Sequence, residues 1–244
     1  MRSCLFLILP LALVSACETN STKAVRVDDT MLAYVDESGR EEIAEARLDA
    51  ERVRHDIAML KGEISRRQND LQLVKEERNV VRAELDAAKL RVDSAAAQSE
   101  ADARAAEENL AGVHAEMRRV EAEIARHEGL VTEAEMHLAV AEARENLMEE
   151  RVELTKAEAL RRTDSPEARK IDVEQLRSAV DRAEQNVEMA RVDAEAAERK
   201  VAILGERLDL RVKEVPEGYR HGVIRDDAAS LRPASADQEA ERRD

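Results

Sequence analysis

The 244-residue chain has no tryptophan, one phenylalanine and two tyrosines. The bulky side chains that dominate globular cores are missing, so a large central core is excluded. Seven glycines and four prolines are too few for a turn-rich β fold. The two cysteines, Cys4 and Cys17, both lie near the start. Beyond residue 17 there is no thiol for a disulfide, a nucleophile or a cysteine-based metal site. Five histidines are scattered, with no HExxH, His-rich tract or Asp/Gly calcium loop, so no metal is expected. No GxGxxG, P-loop, GxSxG or Cys/His/Asp arrangement occurs. The expectation is a non-enzyme with no catalytic residues, no cofactor and no small-molecule substrate. Basic residues form no continuous stripe, which excludes a nucleic-acid partner.

What the chain has is helix. Charged residues make up 38%, with a formal net charge of −15, and this charge-rich composition belongs to long exposed helices. Pairs such as Glu63/Arg67, Glu100/Arg104, Glu158/Arg162 and Glu195/Arg199 stand four residues apart in the favourable order, worth roughly 0.2–0.5 kcal/mol each. From about residue 41 a seam runs Ile43, Ala46, Ala50, Val53, Ile57, Leu60, Ile64, Leu71, Val74, Val81, Leu85, Ala88, Val92. Its steps of three and four are those of a coiled coil, with Arg67 and Arg78 on the seam as candidate register-setting residues.

A second run is Val113, Met117, Val120, Ile124, His127, Val131, Ala134, Leu138, Ala141, Glu145, Met148, Val152. A third is Val173, Leu176, Val180, Ala183, Val187, Ala190, Ala194, Ala197, Val201, Leu204, Leu208, Arg211. Between the second and third lies the strong breaker Thr163-Asp164-Ser165-Pro166. Ser165 reads as an N-cap and Pro166 as the first helical residue after it. Folding there at a constant residue-number sum of 328 pairs Leu176 with Val152, Val187 with Ala141, and Leu204 with Ile124. It also sets His127 opposite Val201. The expected fold is all-α, with long coiled-coil helices in an antiparallel helical hairpin and disordered ends.

The expected organisation is residues 1–16 as a signal peptide, 17–40 as a linker and 41–162 as one long helix. A turn at 163–166, a return helix over 167–213 and a disordered tail over 214–244 follow. Residues 93–112 offer alanine and no large seam residue, and the heptad frame shifts across them by four, a stutter or bend. With a bend there, segments 41–92, 110–162 and 166–213 allow a three-helix variant. The linker residues Val25, Val27, Met31, Leu32, Tyr34 and Val35 suit a short strand or helical turn. In the tail, Tyr219 and His221 are the best docking motif.

At the N-terminus, Met1, Arg2 and Ser3 form a basic n-region and residues 4–13 an apolar h-region. It is shorter than the ~20 residues of a transmembrane helix and suits a signal peptide. Val14-Ser15-Ala16-Cys17 resembles the lipobox of bacterial lipoproteins. That resemblance implies cleavage between Ala16 and Cys17 and diacylglyceryl and N-acyl (palmitate-type) modification of Cys17. Several acyl chains together anchor stably to a membrane. In the sorting pattern of Gram-negative lipoproteins, aspartate after the lipidated cysteine favours the inner membrane. Glu18 here implies the outer membrane, facing the periplasm.

A lipidated cysteine followed by heptads is similar in logic to the murein lipoprotein, with differences in length and in the hairpin break. The expected role is a membrane-anchored spacer or scaffold of the cell envelope, acting on protein partners or on itself through its coiled coil. The alternative is an adaptor of an export, efflux or assembly complex. It rests on a resemblance to the hairpins of periplasmic adaptors, whose flanking β domains this chain lacks.

Overall fold

The structure is a computed structural model, and it describes residues 26–97, 99–163, 166 and 168–216. Three long helices run through it: α1 (Glu37–Ala95), α2 (Glu100–Arg162) and α3 (Val173–Glu214). At 59, 63 and 42 residues they are about 90, 95 and 63 Å long. No strand occurs among the described residues. The order is up, down, up: α1 and α3 each pack antiparallel along α2, and no seam forms between α1 and α3.

Each helix starts on a side chain that satisfies otherwise orphaned backbone N–H groups. The Gly39 N–H donates to Asp36 Oδ1 at 2.8 Å, the Asp102 N–H to Ser99 Oγ at 3.1 Å, and the Gln175 N–H to Asp172 Oδ1 at 3.0 Å. Ser99 breaks what the sequence reads as one helix from 41 to 162. The chain reverses between Ala95 and Glu100, inside the alanine-rich stretch 93–112. The physical reason is burial. Reversal lets Val74, Val81, Leu85 and Ala88 of α1 cluster with Val113, Val120 and Ile124 of α2. Each such valine, leucine or isoleucine gains roughly 1.5–3 kcal/mol over leaving it in water, which a straight helix would forgo.

Charge fixes the α1–α2 register, which a heptad pattern alone leaves open by multiples of seven. Arg54, Lys61 and Lys75 on α1 meet Glu149, Glu142 and Glu128 on α2. In every pair the residue numbers add to 203. Arg67, on the α1 seam, donates to Glu63 and reaches the Leu130 carbonyl of α2 at 3.4 Å.

The α2–α3 pairing corrects the sequence reading. The α2 run through Val113, Val120 and Ile124, expected to face α3, instead faces α1. α3 uses a second row of α2: Val180, Ala183 and Val187 cluster with Leu147, Ala143 and Leu154. A side chain at Gly129 would meet Leu204 at 2.9 Å and Val201 at 3.3 Å. Val201 is thus set against Gly129 where the sequence set it against His127, and Leu204 does not oppose Ile124. The ion pairs Arg151–Glu184, Glu158–Arg177 and His137–Glu198 all have residue numbers adding to 335, not 328. The helix ends Arg162 and Val173 give the same sum. The longer connection sets this register: α3 begins at Val173, not 167, after a 3-10 turn at Ala168–Lys170. Asp172 replaces the expected cap, Pro166 lies in the turn before it, and Ser165 is outside the described residues. Ala168 and Val173 gain burial from this start, packed with Leu160 and Leu176 at 1–2% exposure.

Residues 26–36, expected within a linker, fold onto the bundle. A 3-10 turn (Asp29–Tyr34) tucks Val27 and Val35 against Ile43 and Leu160. The Val27 N–H donates to Glu153 at 2.7 Å, and the buried Lys156 ammonium lies 2.8 Å from both Asp29 and Glu153. The first turn of α1 then comes close to α2: a Cβ on Gly39 would stand 2.5 Å from Val35 Cγ1 and 3.1 Å from the Ala159 Cβ. Gly62 and Gly205 face open space. Alanine at Gly62 or Gly205 is expected to stabilise the chain by about 0.5–1 kcal/mol, the helix-propensity difference. Alanine at Gly39 is expected to destabilise it despite the same gain. Urea midpoints of the three variants read the opposite signs directly.

Candidate functional site

Two features stand out from an otherwise uniform helical surface. One side of α2 carries a row at seven-residue spacing: Glu116, Glu123, Leu130, His137, Arg144, Arg151 and Glu158. The ion pairs of Arg151, Glu158 and His137 with α3, and the reach of Arg67 to Leu130, show that both neighbours approach this row.

The first feature is apolar. On α1, Met59, Leu73 and Val80 stand beside the row through Glu63 and Glu77. On α3, Met189, Ile203 and Leu210 stand five residues on from the row of Glu184 and Glu198, about 140° around the helix, on the flank whose Glu214 meets Arg118 of α2. All six are between 53% and 62% exposed. The intervals are 14 and 7 residues on both helices, so each is a heptad row without a partner. Scattered exposed apolar residues need no explanation. A row at coiled-coil spacing on each outer helix, the two on opposite sides of α2, is the pattern of surfaces that take further helices.

The second feature is a buried charge cluster between α1 and α2. Arg119 is 1% exposed and its guanidinium meets three carboxylates: Glu116 at 3.0 Å and, in closer contact, Glu123 and Glu77. Glu116 and Glu123 are as buried as Arg119, and the second oxygen of Glu116 has no hydrogen-bond partner. Burial works against the charge of Arg119. The Glu116 hydrogen bond and the charges of Glu123, Glu116 and Glu77 outweigh it and hold the guanidinium above its usual range. Burial pushes the Glu123 carboxyl up, Arg119 opposes this, and the Glu77 charge adds to it. The guanidinium occupies the centre that a cation would need. No group of three or more His, Cys, Asp or Glu among the described residues is placed to hold a metal ion.

A cleft of about 360 Å³ opens where the N-terminal segment meets the helices, lined by Arg47, Arg54, Ala50, Glu149, Val152 and Glu153 among others. Arg47 is held by Asp29 and Arg54 by Glu51, Glu145 and Glu149. Both of these arginines are therefore already engaged. His127 is 4% exposed in α2 and has an interaction of its own.

The sequence-derived sites Ala16 and Cys17 lie outside the described residues, as do Tyr219 and His221. No described helix is long and apolar enough to cross a membrane. Sequence reasoning missed the cluster, although a signal existed: Glu116, Arg119 and Glu123 share one helix face at steps of three and four. It also missed the exposed rows, because each reads as ordinary outward positions until the inward rows are known. No protein-family model, curated protein or solved structure matches the chain.

Proposed function

We propose that the chain is a lipid-anchored scaffold or spacer of the bacterial cell envelope. Cys17 holds it to the membrane, and it associates with further copies of itself through the outer rows of α1 and α3. The observation that carries this reading is the pair of exposed heptad rows, Met59/Leu73/Val80 and Met189/Ile203/Leu210, beside helices whose inner rows are already filled. The lipobox resemblance of residues 14–17 supports the anchor, and Glu18 supports the outer membrane.

The test is light scattering on the detergent-purified chain against a variant carrying Leu73→Glu, Val80→Glu, Ile203→Glu and Leu210→Glu. Helicity is expected to be unchanged, because all four positions are exposed. The parent should be an oligomer and the variant a monomer. A parent that is monomeric at every concentration would sink self-assembly. Recovery of an envelope transporter by crosslinkers placed at Val80 and Leu210 would put the adaptor reading in its place. Mass labelling of Cys17 with a radioactive fatty acid, abolished by Cys17→Ser, tests the anchor separately.

A further inference from the structure

We propose that Glu123, gathered with Glu77 and Glu116 on the single buried guanidinium of Arg119, is a proton-binding site through which pH controls the packing of α1 on α2.

The argument is one of charge count in a dry place. Three carboxylates meet one cation, and three of the four side chains are 1–3% exposed. A buried carboxylate without full compensation takes up a proton in preference to staying charged. The Glu116 oxygen without a partner marks where compensation is incomplete. The surrounding ionisable groups do not close the gap. On α1, Lys75 is held by Glu128 and Arg67 by Glu63. On α3, Arg211 is held by Glu214, which also meets Arg118 of α2. At the level of the cluster itself, Glu84 on α1 and Arg126 and His127 on α2 carry interactions of their own. Even a second cation drawn from there leaves a carboxylate in excess.

The position gives the proton a mechanical effect. Glu77 belongs to α1, while Glu116, Arg119 and Glu123 belong to α2. Releasing the proton leaves two like-charged groups facing each other across the helix boundary, next to the cluster of Val74, Val81, Val120 and Ile124. The sign follows from linkage. The Glu123 carboxyl is raised above the ordinary 4.5 in the folded chain, with burial as the main cause. Its contribution is therefore complete below the unfolded-state value and is lost as pH rises through the folded one. Between those two values the unfolding constant rises by up to about tenfold per pH unit for one proton.

The experiment measures urea unfolding of the full chain in detergent from pH 5 to pH 8.5, together with the infrared spectrum of the folded chain at neutral pH. Expected are an unfolding constant that climbs with pH and a protonated-carboxyl C=O band. Both should disappear in Glu123→Gln, whose amide needs no proton. A flat pH dependence in the parent, or a neutral-pH spectrum with no such band, would overturn the proposal. The spectrum is read on the parent, so a variant that fails to fold leaves the test intact.

Discussion

Arg119→Met is expected to cost roughly 3–5 kcal/mol at neutral pH, the range for removing one partner of a buried ion cluster. Methionine fills similar space, so the loss is electrostatic and not a cavity. Glu116 and Glu123 would remain 1–2% exposed, with Glu77 beside them, and no cation among the three. They must then take up protons, draw in water or move apart, and moving apart means parting α1 from α2. The cost should shrink as pH falls, because protonated carboxyls need no guanidinium. Replacing the whole cluster with apolar residues of similar volume should recover much of the loss, since such pairs seldom outdo a packed apolar core. Urea midpoints at pH 5 and pH 7.5 check all of this. An Arg119→Met chain as stable as its parent at both would show that the cluster is wetter than its burial implies.

Leu160→Ala comes next, at roughly 2–5 kcal/mol. Leu160 is 1% exposed in a cluster that draws on four parts of the chain: Val27 and Val35 before α1, Ile43 on α1, Ala168 in the loop, and Val173 and Leu176 on α3. Little there can collapse into the space, because Ala157, Ala159 and Ala168 are already small. The effect should also be local. Hydrogen exchange should rise first in residues 27–36 and 168–176, which have few other apolar contacts, and only later in the middle of α2. Uniform acceleration along all three helices would show that this end does not fasten the bundle separately.

The rows themselves were legible in the sequence. All twelve seam positions named on α3, from Val173 to Arg211, are buried or half-buried, because apolar spacing alone dictates which side of a helix turns inward. The partner of each row was not legible. α2 has two inward rows, and the second includes Gly129, Ala143 and Ala157, too small to read as a seam beside charged neighbours. The register was equally hidden. Heptads slide by seven without penalty, and the choice rests on Arg54–Glu149, Lys61–Glu142 and Lys75–Glu128 on one side and on the length of the 163–172 connection on the other. The α1–α2 reversal was obscured for a third reason. Its turn is built from alanines with high helix propensity, and only the Ser99 cap distinguishes it from helix.

The placing of α2 between its two neighbours also decides how the chain bears load. Residue 26 enters beside the C-terminal part of α2, near Glu153, while Glu214 meets Arg118, so the two ends of the described chain lie about 50 Å apart along α2. Tension applied between residue 26 and residue 216 runs parallel to both seams. Helices loaded that way must slide past one another with every layer yielding together. A hairpin pulled open from one end would instead lose its layers one at a time.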